Sequence, residues 1–193
     1  MFNSLNEVYH IPSAIDESVA KTIVEQLKSV ELSDAQIIGE DKAEFSPDKR
    51  KSKITFIPTD HWVSGMMAHF IQEANLRSFN FKLTGWADKI QYTVYDNPGC
   101  HYTWHTDIAE SKLDCFSDHP STQYRKLSIS LCLTSDFEGG QLQFLTSDDD
   151  LIKTNLKCGD AIIFPSTMKH RVTRIKSGTR ISLVGWYAGP MFQ

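Results

Sequence analysis

From Lys89 to Tyr187 the sequence is cut into short stretches, each closed by turn residues, and this punctuation is what most restricts the fold. The strand candidates are Lys89–Tyr95, His101–Thr106, Lys126–Leu133, Gln141–Leu145, Ala161–Phe164, Arg171–Ile175 and Thr179–Tyr187. Between them lie Asn97-Pro98-Gly99, Glu138-Gly139-Gly140, Cys158-Gly159-Asp160 and Lys176-Ser177-Gly178, residues that supply the backbone angles of tight turns. The N-terminal part differs. Ala14, Ile15, Val19, Ile23, Val24 and Leu27 recur at helical spacing and predict a helix over Ile15–Val30, with Asp16 and Glu17 near its positive end. A second helix is predicted over Trp62–Asn75, and short strands at Ala35–Ile38 and Ile54–Ile57. Two helices followed by many short strands imply one α+β domain, mainly β. Residues 1–80 would carry the helices and flanking strands, and 81–193 a sheet curled into a barrel or sandwich.

Within Lys126–Leu133, Leu127, Ile129, Leu131 and Leu133 fall on one face and Ser128, Ser130 and Cys132 on the other. The small polar face suits either solvent or the lumen of a barrel with a functional cavity. At 40% hydrophobic and 23% charged residues, the composition excludes a disordered or fibrous class. A net charge of −4 argues against sequence-independent nucleic-acid binding, and the densest basic run, Lys49-Arg50-Lys51, reads as solvated loop. Cys100, Cys115, Cys132 and Cys158 form no zinc-ligand spacing and are expected to be free thiols. The N-terminus lacks the basic and apolar regions of a signal peptide, and no apolar run reaches the ~20 residues of a membrane span. A cytoplasmic protein is the expectation.

His105-Thr106-Asp107 carries the chemistry. On a strand, residues two apart share a face. With a second histidine from a distant strand, such as His170, they can form a facial triad that holds iron(II) and leaves coordination positions open. Arg180 interrupts an otherwise apolar strand, on what reads as the far arm of a hairpin beginning at His170. Its guanidinium suits a surface ion pair or a bidentate fork for a buried carboxylate. Ser182 shares its face and could add a hydrogen bond.

Together these stretches resemble a family. Tyr95 to Asp107 is similar to the tyrosine-rich approach to the HxD motif of the 2-oxoglutarate/Fe(II)-dependent dioxygenases. The likeness is to the prolyl 4-hydroxylase-like branch, including the bacterial PKHD-type hydroxylases. Leu127–Leu133 leading to Glu138-Gly139-Gly140, then Gly159-Asp160-Ala161-Ile162-Ile163-Phe164-Pro165, then His170 to Arg180, continue it in order. The resemblance implies a double-stranded β-helix (jelly-roll, cupin-like) core with the N-terminal helices outside. It implies His105, Asp107 and His170 as iron ligands and Arg180 as partner of the distal carboxylate of 2-oxoglutarate. Tyr95, Ser128 and Ser182 are further candidates for the co-substrate, while Tyr102 and Trp104 would be pocket wall. One spacing departs from the family, since three residues separate Tyr95 from Gly99, which leaves the glycine's role open.

The implied reaction hydroxylates a protein or peptide, at proline, with dioxygen as co-substrate and release of succinate and CO2. L-ascorbate is an accessory candidate. A carboxylate at position 107 implies hydroxylation rather than halogenation. Hydroxylation of a free amino acid or small metabolite is the alternative within enzymes, and a non-catalytic jelly-roll metal-binding module the alternative outside them. Residues 108–125 are polar and long for a strand connection, and are read as either a substrate-facing lid or a surface excursion.

Overall fold

The computed structural model describes residues 7–38, 43–108, 110–111 and 123–190. The chain opens with strand β1 (Tyr9–Ile11), helix α1 (Glu17–Gln26), and the short strands β2 (Ser33–Asp34) and β3 (Arg50–Lys51). Strand β4 (Lys53–Ile57) and helix α2 (Trp62–Ala74) follow. The remaining principal strands are β5 (Ile90–Tyr95), β6 (His101–His105), β7 (Gln123–Cys132), β8 (Leu142–Leu145), β9 (Leu151–Lys153), β10 (Ala161–Pro165), β11 (His170–Val172) and β12 (Arg180–Pro190).

Two antiparallel sheets face each other as a jelly roll. The large one runs β1–β10–β7–β12–β5–β4–β2 and the small one β9–β8–β11–β6–β3. The outer face of the large sheet carries the main core. Leu127, Ile129 and Leu131 of β7, and Leu133 just beyond it, pack in one cluster with Ile23 of α1 and Val63, Met67, Phe70 and Ile71 of α2. Strand β10 feeds two cores by alternation: Ala161 and Ile163 join the helices, while Ile162 and Phe164 point between the sheets onto Phe144 and Val172. The fold class is therefore the expected one, α+β and mainly β, with the helices outside.

Several boundaries differ from expectation. Helix α1 is shorter than predicted because its ends are used elsewhere. The Ile15 N–H bonds Gly159 O, and Lys28 N–H reaches back only three residues, to Glu25 O, tightening the chain into turns. The predicted strand Arg171–Ile175 divides. Residues His170–Val172 stay in the small sheet, Ile175–Gly178 pairs with Phe137–Gly139, and Arg180 enters the large sheet. His170 and Arg180 are thus on opposite sheets, not on two arms of one hairpin, and the cavity lies between them. The predicted strand over Ala35–Ile38 is confined to Ile37–Ile38, paired with Ala43–Glu44.

Candidate active site

The inner face of the large sheet builds one wall of the cavity. Residues directly paired across strands share a face, so Ser130 pairs with Val184, Val184 with Gln91, and Gln91 with Phe56. All four line a cavity of about 1270 Å³. The polar face of β7 therefore looks into a lumen, not into solvent.

The small sheet supplies the histidines. Strands β6 and β11 are in register at His105↔His170 and again at Tyr102↔Val172, so β6 holds one residue more than β11 between those pairs. This bulge places Tyr102 and His105, three apart, on the same side. Their rings stack with centroids 3.5 Å apart and planes 16° from parallel. Asp107 does not share the face of His105 by strand alternation, because β6 ends at His105. Instead Asp107 lies beyond the strand, its N–H bonded to Ser166 O at 2.9 Å.

The three side chains converge. Asp107 Oδ1 is 3.8 Å from His105 Nε2, and Oδ2 is 3.6 Å from His170 Nε2, too long for hydrogen bonds. The three ligand atoms lie within 4.8 Å of one another. The Nδ1 of His105 is 2.8 Å from Thr103 O, and that of His170 is 2.9 Å from Met168 O. A carbonyl only accepts, so each Nδ1 carries a proton and each Nε2 is the ring nitrogen turned inward, the arrangement that metal-binding histidines adopt. Burial, with His170 alongside, lowers the pKa of His105 to about 3, against the opposing pull of Asp107, so the ring is neutral at ordinary pH. Burial also works against the Asp107 carboxylate, but His170 and His105, with the Ser128 hydroxyl, hold its pKa below the ordinary value. Ser128 donates to Asp107 Oδ2 at 2.8 Å and is itself 2.9 Å from Ser166 Oγ. Its hydroxyl is engaged with the carboxylate and is fully buried, so it stands behind the triad and not in the open cavity. The Trp186 Nε1 closes no hydrogen bond and is the single such buried side-chain atom found among the described residues.

Arg180 occupies the opposite wall at 2% exposure. It donates to Ser182 Oγ at 3.1 Å, lies 5.5 Å from the ring centre of its register partner Tyr95, and pairs with no carboxylate among the described residues. The Gly139-Gly140 turn makes room for it. At Gly140 (φ +56°) a Cβ would stand 2.4 Å from Ile175 Cδ1 and 3.1 Å from Arg180 Cδ. Gly99 has a different role, a left-handed turn at φ +86° with open space around it. The lengthened spacing after Tyr95 is therefore absorbed by a turn.

Of the residues singled out in the sequence, His105, Asp107 and His170 come together, Arg180, Ser182 and Tyr95 line the far wall, and Tyr102 and Trp104 are cavity wall. Arg50 was misread. It is not solvated loop but a 7% exposed side chain lining the cavity. A signal was present in the sequence, where Lys49, Lys51 and Lys53 recur at every second position as on one face of a strand, and the structure leaves these three exposed or half-exposed and buries Arg50, Ser52 and Ile54 between them. Arg125 was also passed over. It pairs with Asp88 at 2.6 Å and lies 4.1 Å over the Trp186 ring. Cys100, Cys132 and Cys158 are free thiols, while Cys115 and most of the 108–125 segment lie outside the described residues.

A jelly roll with two imidazoles and a carboxylate converging inside, facing a buried arginine that pairs with no carboxylate among the described residues, presents a donor set of the kind that can hold a metal ion. Residues 90–188 match the family model described as the 2OG-Fe(II) oxygenase superfamily. The chain is 30% identical over 187 residues to a PKHD-type hydroxylase of Prochlorococcus marinus (strain NATL2A), covering 92% of this chain and 76% of that one. A PKHD-type hydroxylase of Crocosphaera subtropica is 36% identical over 101 residues, half of this chain and 41% of that relative. The chain thus spans well under half the length of that curated relative. Among solved structures, a Trichoplax adhaerens prolyl hydroxylase in complex with a hypoxia inducible factor peptide fragment superposes with a TM-score of 0.74 at 20% identity, covering 94% of this chain and 83% of that one. The chain belongs to the 2OG-Fe(II) oxygenase superfamily.

Proposed function

We propose that the chain acts as a single dioxygenase domain that hydroxylates a peptide or protein, at proline, with release of succinate and CO2. The observation that carries this reading is one cavity walled by a histidine–carboxylate–histidine cluster on one side and, on the other, a buried guanidinium that meets no carboxylate among the described residues. In the proposal His105 Nε2, Asp107 and His170 Nε2 hold Fe(II). This donor set suits that ion and leaves positions for a chelating oxo-acid and dioxygen.

Arg180 receives the distal carboxylate of 2-oxoglutarate. A guanidinium at 2% exposure without a counter-ion is costly, so a carboxylate of fitting length completes the site. Ser182 aligns the guanidinium through its Nη1, and Tyr95 borders the same corner. Ser128 acts through Asp107, holding one carboxylate oxygen so that the other orients toward the metal position. When bound, Fe(II) would activate dioxygen, the oxidant, with 2-oxoglutarate as the two-electron reductant, so that one oxygen atom enters the substrate C–H bond and the other the succinate released with CO2. The protein excludes water and fixes the geometry. The name of the Trichoplax neighbour's complex, a prolyl hydroxylase with a peptide, supports peptide over small-molecule substrates.

The test is anaerobic addition of Fe(II) and 2-oxoglutarate, watching for a weak visible charge-transfer band that needs both and decays when oxygen is admitted. Arg180→Ala should weaken 2-oxoglutarate binding by about 100-fold, the loss expected when a charge-assisted bidentate pair is removed. A wild-type protein that gives no band and binds no 2-oxoglutarate is a metal-binding module, not this enzyme. Hydroxylation itself is read by mass spectrometry as gain of one oxygen on a proline peptide.

A further inference from the structure

Arg50 gives the cavity a second cation that its own carboxylates do not neutralise. Three guanidiniums line this space. Arg125 is neutralised by Asp88, but Arg180 and Arg50 pair with no carboxylate among the described residues. Arg50 Nε donates to Ser52 Oγ at 3.2 Å and Nη1 to Gln36 O at 3.4 Å, both neutral acceptors, while Nη2 has no hydrogen-bond partner among the described residues. Its Cζ stands 4.6 Å from the centre of the Tyr102 ring, and that ring stacks on His105. A cation–π contact offsets part of a buried charge, not all of it. The co-substrate cannot supply the missing partner. One end of 2-oxoglutarate is required at the metal, leaving one carboxylate, and Arg180 on the opposite sheet takes it.

We propose that Arg50 is the receptor for a carboxylate on the prime substrate, an inference that rests on the dioxygenase reading above. The carboxylate sits close to the reacting residue, because only the Tyr102 ring separates Arg50 from a metal-facing histidine. An extended peptide advances about 3.3 Å per residue, so the acid falls roughly one to three residues from the hydroxylated one. Three sources share this chemistry: an Asp or Glu side chain, a peptide's free C-terminus, and the carboxylate of free proline.

The experiment uses the full chain loaded with Fe(II) and 2-oxoglutarate under argon. The probes are acetylated, amidated proline heptapeptides with Asp scanned through the flanking positions, and their Asn counterparts. The same peptide with a free C-terminus, and free L-proline, complete the set. Calorimetry reads the affinities. We expect one acidic probe to bind about tenfold or more tighter than its uncharged counterpart, the usual scale for a hydrogen bond to a charged group. Its identity names the source. Arg50→Gln should erase that preference and leave 2-oxoglutarate affinity within about twofold, as expected for a contact absent from the co-substrate. If Arg50→Gln does not fold, Arg50→Lys carries the test. It keeps the charge but not the fork, and should cut the preference severalfold. No acidic preference in the wild type, or one that survives substitution of Arg50, overturns the inference and leaves the dioxygenase reading intact. Failure of the wild type to bind 2-oxoglutarate overturns both.

Discussion

The two faces of the large sheet use the same strands for opposite purposes. Outward, Leu127, Ile129 and Leu131 meet α1 and α2 in a dry core with no accessible surface on any of the three side chains. Inward, the neighbouring Ser128 and Ser130 look toward Asp107 and the cavity, with Ser182 and Arg180 beside them on β12. Both faces are buried, yet only one is apolar. Burial alone therefore does not separate core from site. What separates them is whether the polar groups find partners inside the protein, as Ser128 does, or retain unmet demand, as Arg180 and Arg50 do.

Substitutions on the two faces should fail differently, and the largest effect is expected on the inner one. His105→Ala should lower 2-oxoglutarate-dependent oxygen consumption by about a thousandfold or more, the scale of losing an essential catalytic group, with an unchanged circular dichroism spectrum. Full activity in that variant would sink the metal assignment. On the outer face Leu131→Ala should cost about 2–5 kcal/mol of stability, measured by urea denaturation, because the packed sheet and helices cannot close the void. At temperatures where it stays folded, its Fe(II) and 2-oxoglutarate affinities should match the wild type. A matched loss of affinity would show that the two faces are not independent.

Ser128, on the inner face but closed off behind Asp107, sharpens the comparison. Ser128→Ala should weaken metal binding by about tenfold, as outer-shell substitutions do, with little change in the urea midpoint. The smallest effect belongs to Asp160, remote from both faces' centres. Its Oδ1 accepts the Ser13 N–H at 2.9 Å, and its Oδ2 the Lys157 N–H at 3.0 Å and His10 Nε2 at 3.2 Å, tying β1 to the turn before β10. Burial opposes its ionisation, but the two backbone donors and His10 outweigh it and lower its pKa. A carboxyl with a folded pKa below its unfolded value stabilises the fold above the unfolded pKa, ordinarily near 3.9, and loses that contribution as pH falls through the folded value. Asp160→Asn should therefore cost about 1 kcal/mol at neutral pH, the scale of one hydrogen bond, and flatten the acid limb of a stability–pH curve. An unchanged acid limb would assign the tie to the backbone alone.

Much of this molecule was legible in advance because its signals are local. Turn residues separated the strands, the alternation of β7 marked an apolar and a polar face, and the ordered motifs named the triad and Arg180. The reason for the convergence was only partly legible. Period-two alternation predicts that His105 and Asp107 share a face, yet β6 stops at His105 and a long-range bond to Ser166 positions Asp107. Ser128 looked like a co-substrate contact because alternation gives a face but not a partner. Arg50 looked like loop because a charge run weighs more, by eye, than the alternation of exposed and buried positions running through it.

The sequence by itself determined the class of elements, the residues that gather at the candidate site and the family, since periodicity, turn chemistry and side-chain type are properties of neighbouring residues. Tertiary structure decided which polar face became a lumen, which arginines were left without carboxylates, and how one extra residue in β6 brought Tyr102 and His105 to the same side. Those outcomes depend on register and on which sheet lies opposite. Both are settled by contacts between residues far apart in the chain, which no local pattern records.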